Sequence, residues 1–449
     1  MELFRRHTGR KVALYFLITI LVGTVLLYLP VSAADEPVSL IDALFTSTSA
    51  VCVTGLIVLD TGKDFSTFGQ VVILLLIQLG GLGIMVFATG LLLTVGMRLS
   101  LFHRLGVTDR LGTVTGISSG SLMKAVIAFT MFFEGIGFLV LFGLFLSDGF
   151  TAGDAAFNAV FHSVSAFCNA GFSTFTTSIE HFSHNSAVIL TFSSLIILGG
   201  LGFAVLWDVF SKTLNRKQHL SLHTKLCLSV TVILLIAGSI LFIISERNNL
   251  LADRSLDFIL TNAFFQSVTC RTAGFNSLPQ TGLTETSLTA SMLLMFIGAC
   301  SGSTGGGIKV TTFAIVVLLA FHRFFGHRSV SAFKRSVSSE SIMKALTVIL
   351  LASFFIAAVF LLLMYVEEKP VSYELSHGWF TGILFETVSA FGTVGLSLGA
   401  TSALSGLGKI IVIITMFSGR VGLLTLAFAL ARPSKKGEIV YLDEPVAVG

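Results

Sequence analysis

AVCVTGL, residues 50–56, lies in an uncharged stretch of a very apolar chain and ends in Thr-Gly-Leu, which suits neither a helix interior nor contact with lipid. At 449 residues the chain could hold two or three soluble domains, but a composition of 54% hydrophobic and 12% charged residues excludes that reading. The chain is an integral membrane protein, and non-helical backbone at membrane depth must be buried in protein or line water.

Uncharged runs long enough to cross a hydrocarbon core of roughly 30 Å recur along the whole length. They cover 12–34, 65–97, 122–146, 185–207, 226–245, 286–321, 345–366 and 410–431, with Glu134, Lys309 and Arg420 as interruptions. Eight transmembrane helices are expected. The PVSAAD stretch after the first run imitates a signal cleavage site, but that run is too long for a signal sequence and the repeat described below requires it. Cys52, Cys168, Cys227, Cys270 and Cys300 lie in or beside apolar segments without CxxC spacing, and read as free, buried thiols.

Most of the 28 Lys and Arg residues fall in alternate connecting segments. These are the N-terminus (Arg5, Arg6, Arg10, Lys11), the segments around 98–124, 212–225 and 323–344, and the C-terminal tail with Arg432, Lys435 and Lys436. The other side holds Lys63, Arg247, Arg254, Arg271, Lys369 and Lys409. Both termini are therefore expected to be cytoplasmic, in a multi-pass protein of the cell membrane.

The outer segments each contain a second apolar piece, at 42–59, 154–179, 257–278 and 378–398, too short to span once a turn is allowed for. Aligned on a glycine, they form an internal repeat. Phe45, Ser49, Ala50 and Gly55 match Phe161, Ser165, Ala166 and Gly171, and again Phe385, Ser389, Ala390 and Gly395; the third copy is one residue shorter between Phe265 and Gly274. The expected architecture is all-α, with four tandem repeats of span, re-entrant pore helix, filter strand and span around one pseudo-fourfold pore. The repeats cover 1–97, 122–212, 224–324 (its last helix broken) and 341–431, and a cytoplasmic tail occupies 432–449.

Four such strands on one axis can present backbone carbonyls to a dehydrated cation. The candidate filter is Val53, Thr54 and Gly55; Asn169, Ala170 and Gly171; Thr272, Ala273 and Gly274; and Thr393, Val394 and Gly395. Glycine lets a strand turn its carbonyls inward through positive φ, and pore helices ending at the strands aim negative dipole ends at the centre. No acid neighbours these glycines in sequence, and neutral oxygens suit a large monovalent ion, potassium first. A potential of about 100 mV is worth roughly 2.3 kcal/mol per charge, about fifty-fold accumulation, so a passive pore suffices for uptake.

Lys309 and Arg420 fall inside spans, where a lone cation costs about 2.5–3.5 kcal/mol. They either flank the pore below the filter or pair with a buried acid, Glu134 being the obvious candidate. The stretch GACSGSTGGGIK, comprising Gly298, Ala299, Cys300, Ser301, Gly302, Ser303, Thr304, Gly305, Gly306 and Gly307 with Ile308 and Lys309, cannot stay helical and is expected to form an intramembrane loop and gate. Ile308 separates its last glycine from Lys309 and no strand precedes it, so it is not a phosphate loop. Arg271 is expected to point behind the filter, Asp208 to be solvated at a span end, and GGLG at Gly80 to serve helix packing.

At AVCVTGL, AFCNAGF, CRTAGFNS and AFGTVGL, with GSTGGGIK and MFSGRVG, the chain resembles the Trk/Ktr/HKT superfamily of potassium transporters over nearly its full length, most closely the membrane subunit of bacterial Ktr systems. That resemblance implies one pore per chain, a homodimer, and potassium uptake that in many members depends on sodium. It assigns Gly55, Gly171, Gly274 and Gly395 to the filter, 298–307 to the gating loop and Arg420 to the pore arginine. Gly55 departs from plant relatives that carry serine there and favour sodium, which supports potassium. It further implies a separate cytoplasmic ring of RCK-type nucleotide-binding regulatory subunits, of the KtrA/KtrC kind, docking on the basic loops. Membrane lipid is the remaining partner; no nucleic acid and no cofactor bound by the chain are expected, with potassium as cargo and sodium as activator.

Two other classes are weaker. A proton- or sodium-coupled symporter needs titratable acids along the path, and Glu134 is the one strong candidate. A membrane enzyme would need a motif such as HExxH, which the sequence lacks.

Overall fold

A computed structural model of the chain describes residues 2–94, 119–214, 219–327, 329–368, 378–423 and 425–426. A pattern of long helix, short helix, extended glycine segment and second apolar element runs through it four times. First come α1 (Glu2–Tyr28), α2 (Leu40–Val51) and α3 (Thr67–Thr94), then α4 (Ser119–Ser147), α5 (Ala152–Phe167) and α6 (Ser186–Leu214). The third set is α7 (Leu222–Glu246), α8 (Leu256–Thr269), α9 (Glu285–Phe296) and α10 (Val310–Phe324). The fourth is α11 (Ser339–Val366), α12 (Trp379–Gly392) and α13 (Gly406–Val421), preceded by a two-stranded ribbon pairing Ser331–Ala332 with Arg335–Ser336.

Three of the short helices start at capping residues the sequence supplies. Ser39, Thr151 and Ser255 accept from the backbone N–H groups of Asp42, Asp154 and Phe258, satisfying donors that would otherwise be orphaned. The helices stop where the chain enters the glycine segments, at C-caps Cys52, Cys168, Cys270 and Thr393.

The long or divided span after each glycine segment begins with a helix that also packs on the short helix of the next quarter: α3 on α5, α6 on α8, α9 on α12, and α13 back on α2. The ring is therefore closed. An ion pair between Lys409 Nζ and Asp42 Oδ1, 2.6 Å apart, joins the starts of α13 and α2 across the closure. The outer helices are coated with exposed apolar side chains such as Leu139, Ile233, Phe354 and Leu361, as a lipid-facing surface requires.

Among the described residues six helices are long and apolar enough to cross a membrane. The eight expected spans include two that differ. The run 286–321 is divided between α9 and α10 by a non-helical segment, because its glycines and small polar residues support no continuous ladder. The run 410–431 is covered by α13 as far as Val421, where Gly422 turns to φ 87°; much of the remainder lies outside the described residues. The 432–449 tail, and Arg98, Arg104 and Arg110 of the basic loops, also lie outside them.

The fourth element of the second quarter carries a feature that the sequence reading did not anticipate. α6 is kinked at Gly202, whose φ of 78° and ψ of 159° break the helical path. The carbonyls released on the preceding turn are used by the segment between α9 and α10.

Candidate ion pathway

The four glycine segments lie side by side. A Cβ built on Gly55 would fall 2.5 Å from the Ala170 carbonyl oxygen and 3.0 Å from Gly171 Cα; one on Gly171 would fall 2.9 Å from Ala273 O and 3.1 Å from Gly274 Cα. One on Gly274 would meet Gly395 Cα at 3.1 Å, and one on Gly395 would meet Gly55 Cα at 2.9 Å. The succession runs first to second, second to third, third to fourth and fourth to first.

Local backbone is the same in each quarter. The glycines have φ of 89°, 71°, 76° and 94°, and the residues two before them, Val53, Asn169, Thr272 and Thr393, also lie in the left-handed region, at 55°, 60°, 72° and 50°. Such conformations cost a β-branched or polar residue on the order of 1–3 kcal/mol and persist only where surroundings enforce them. The enforcement is visible behind the strands. Thr54, Ala170 and Val394 donate their N–H groups to the carbonyls of Ser49, Ser165 and Ser389 at 2.8, 2.7 and 2.9 Å, and Ala273 donates to Thr269 at 3.0 Å. The Ser49 and Ser389 hydroxyls accept from Gly55 and Gly395 N–H at 3.1 Å, while Ser165 and Thr269 donate to Phe172 and Phe275 carbonyls at 2.7 Å. The N–H groups are thus drawn outward. None of the carbonyls of 53–55, 169–171, 272–274 and 393–395 accepts a hydrogen bond from another described residue.

The segment 297–309 is a compact loop with a closed neck. Gly298 N–H donates to Ile308 O at 2.8 Å and Val310 N–H to Ala299 O at 3.2 Å. It docks on the kinked turn of α6, where Cys300 N–H donates to Gly200 O at 3.0 Å and Thr304 N–H to Gly199 O at 3.3 Å. Its tip packs under the glycine segments: Thr304 Oγ1 donates to Phe167 O at 3.3 Å, Gly305 abuts Thr272 and Gly306 abuts Thr393.

Both intramembrane cations hold this loop by its backbone. Lys309 Nζ donates to the Gly305 carbonyl at 2.6 Å and the Gly306 carbonyl at 3.4 Å. Arg420, 4% exposed, donates through Nη1 to Thr304 O and through Nη2 to Gly80 O at 3.0 Å, with its guanidinium 5.9 Å from the Phe16 ring. Neither pairs with Glu134. That carboxylate accepts from Gln78 Nε2 at 2.9 Å and contacts the Cys168 thiol at 3.8 Å.

Arg271 turns from the third glycine segment toward α7, with Nη2 3.4 Å from Thr231 Oγ1, as expected of a side chain behind the strand. Asp208 is a correction: it is buried rather than solvated, and accepts from Ser221 N–H at 3.0 Å and Thr224 Oγ1 at 2.6 Å, fixing the start of α7. Gly80 does serve packing, against Val51, and its carbonyl also receives Arg420. The five cysteines are free and buried.

Sequence reasoning missed two features. One is the Gly202 kink, whose signal was the match of GGLG at 199–202 with a loop rich in unpaired donors. The other is Glu386, an acid nine residues before Gly395 in the fourth short helix, which accepts from Ser397 Oγ at 2.6 Å and Leu398 N–H at 3.0 Å behind the fourth segment. Its signal was a lone carboxylate inside an apolar short helix.

Apolar helices around four short ones, with irregular backbone gathered at their inner ends, define a multi-pass membrane transport protein. The TrkH family, cation transport proteins, matches residues 5–438, and the chain belongs to that family. It is a family of transporters, not enzymes. The chain is 40% identical over 446 residues to the Ktr system potassium uptake protein B of Vibrio alginolyticus, covering 98% of this chain and 94% of that protein. It is 40% identical over 440 residues to the Bacillus subtilis protein of the same name (97% and 96% covered), and 38% identical over 442 residues to the potassium/sodium uptake protein NtpJ of Enterococcus hirae (98% and 96%). The crystal structure of the potassium transporter TrkH from Vibrio parahaemolyticus shares the fold, with a TM-score of 0.71 at 22% identity, covering 93% of this chain and 84% of that one.

Proposed function

We propose that the chain takes up potassium across the cell membrane through a filter of backbone carbonyls contributed by four repeats. The observation that carries this reading is the cyclic contact of Gly55, Gly171, Gly274 and Gly395, with their neighbouring carbonyls accepting from no donor among the described residues. Potassium is the proposed cargo because the relatives at 40% identity are potassium uptake proteins, and weak-field neutral oxygens favour a large monovalent ion. The repeats 1–97, 122–212, 224–324 and 341–431 supply one wall each of a pseudo-fourfold pore with eight crossing segments.

The loop 298–307, with Lys309 and Arg420, is the proposed gate, since it packs against the strands Thr272 and Thr393 begin and is fastened by two cations. The names of the Ktr relatives place them in multi-part systems, and the proposed partners are an identical second copy and a separate cytoplasmic RCK-type ring. Sodium is the proposed activator, and both termini face the cytoplasm.

A proton-coupled symporter is the second reading, favoured by Glu134 lying against Cys168, one residue before the second strand. The test is rescue of a potassium-uptake-deficient strain, with and without sodium and across an imposed pH gradient. Rescue at limiting potassium that ignores the pH gradient supports the pore; flux that follows the gradient supports the symporter. Absence of rescue by a chain that reaches the membrane overturns both.

A further inference from the structure

The pathway described so far uses only neutral oxygens and two cations. Besides Glu134, one buried carboxyl group stands beside it. Glu386 lies in α12 nine residues before Gly395 and is 1% exposed. Its Oε1 accepts from Ser397 Oγ and from Leu398 N–H, and its Oε2 from Thr401 Oγ1 at 2.5 Å. Ser397 and Leu398 belong to the arm that leaves the fourth strand, so the carboxylate lies behind that strand. A carboxylate that serves only as acceptor uses all these donors in its charged form; the Leu398 N–H in particular can do nothing but donate.

The same register in the other quarters carries no acid. His162 lies nine residues before Gly171, with Nε2 2.9 Å from Ser173 Oγ and Nδ1 2.8 Å from Asn158 O, so Nδ1 donates and Nε2 accepts as a neutral ring. Gln266, in the copy shorter by one residue, donates to Gln280 Oε1 at 2.9 Å. Thr46, in the first quarter, has no partner for Oγ1 among the described residues. Three quarters thus tie down the arm beyond the glycine from this position. Only the fourth does so with a carboxyl group.

We propose that Glu386 is the fixed counter-charge of the ion pathway: from behind the fourth strand it raises affinity for the cation, while positioning the arm at 397–401. This rests on the potassium-uptake reading. Carbonyl dipoles favour a cation without supplying net charge, and Arg271 and Arg420 both add positive charge to the surrounding protein. By Coulomb's law at an effective dielectric of about 20, a unit charge at a separation on the order of 10 Å changes cation affinity by roughly tenfold.

The experiment measures initial potassium uptake against concentration in deficient cells, normalised to membrane abundance of the full chain. Glu386→Gln keeps the shape and removes the charge, and is expected to raise the half-saturating concentration about tenfold with a smaller change in maximal rate. Glu386→Asp keeps the charge and is expected to remain within about threefold of wild type. Gln266→Glu adds a charge at the same register, where Gln280 can turn its amide N–H toward it, and is expected to lower half-saturation severalfold. Wild-type half-saturation in Glu386→Gln at normal abundance overturns the proposal. Where that variant does not accumulate, Gln266→Glu decides: a lowered value supports the counter-charge and an unchanged one overturns it. Failure of wild type to transport potassium would count instead against the uptake reading, so the two failures are distinguishable.

Discussion

Arg420 donates to the backbone carbonyl of Thr304, 116 residues away in sequence, and so ties the last described helix to the loop dividing α9 from α10. With its second donor on Gly80 O, the guanidinium spans three elements from three quarters. A buried cation served by backbone carbonyls instead of a carboxylate keeps its positive charge unpaired with any anion among the described residues, at the place where cations are proposed to pass.

Arg420→Ala should therefore raise basal potassium flux, by removing both the charge and the fastening of the loop. Hydrogen bonds to charged groups are worth about 1.5–3 kcal/mol each, so a several-fold increase is expected. Arg420→Lys should fall between the two. Rubidium influx into cells or liposomes measures it, and unchanged flux in Arg420→Ala would leave the residue a structural tie.

Lys309→Ala should act on the same loop through Gly305 and Gly306. Since both cations restrain one element, the effects on flux of Lys309→Ala and Arg420→Ala should combine non-additively, with a coupling of about 0.5–3 kcal/mol. Simple additivity in the double variant would show that they act separately.

Gly55→Ser and Gly274→Ser should both lose potassium preference over sodium. Each glycine has positive φ and faces the backbone of the next strand, so a side chain must push two strands apart. A left-handed residue with a Cβ costs on the order of 1–2 kcal/mol before that displacement is counted. Competition between potassium and sodium in uptake assays reads the change; retained preference in both variants would count against the filter.

Gly202→Ala should destabilise the protein rather than change its ion preference. The kink requires φ 78°, and a built Cβ would strike the backbone of Gly302 and Ser303. The loop would lose its seat on Gly199 and Gly200, and a loss of about 1–3 kcal/mol is expected, measured as a lower thermal midpoint in detergent. An unchanged midpoint would mean that the loop is held elsewhere.

Much of this was legible in the chain. Apolar run length marked most of the long helices, because a bilayer imposes one length on anything that crosses it. Repetition of the Phe-Ser-Ala-Gly spacing located the short helices and the glycine segments, and Ser39, Thr151 and Ser255 marked three of their starts. The break at 298–307 was visible as a run of residues that no helix ladder tolerates.

The partners of the buried charges were not legible. Glu134 appeared the natural mate for Arg420 or Lys309, since it was the one acid inside a span, yet it is taken by Gln78 and Cys168 while both cations turn to backbone oxygens. Carbonyls are present at every residue and leave no mark in a sequence. Asp208 and Glu386 escaped for a related reason: their donors come from hydroxyls and N–H groups that only the fold brings within reach.

The sequence by itself determined a membrane protein of four like quarters with a flexible glycine point in each, because bilayer thickness and backbone sterics act on local residue type. Tertiary structure alone decided that those points meet in a closed succession, that α6 kinks to seat the loop, and which oxygens hold Lys309 and Arg420. Those outcomes depend on distances between segments a hundred or more residues apart, which packing sets and composition does not record.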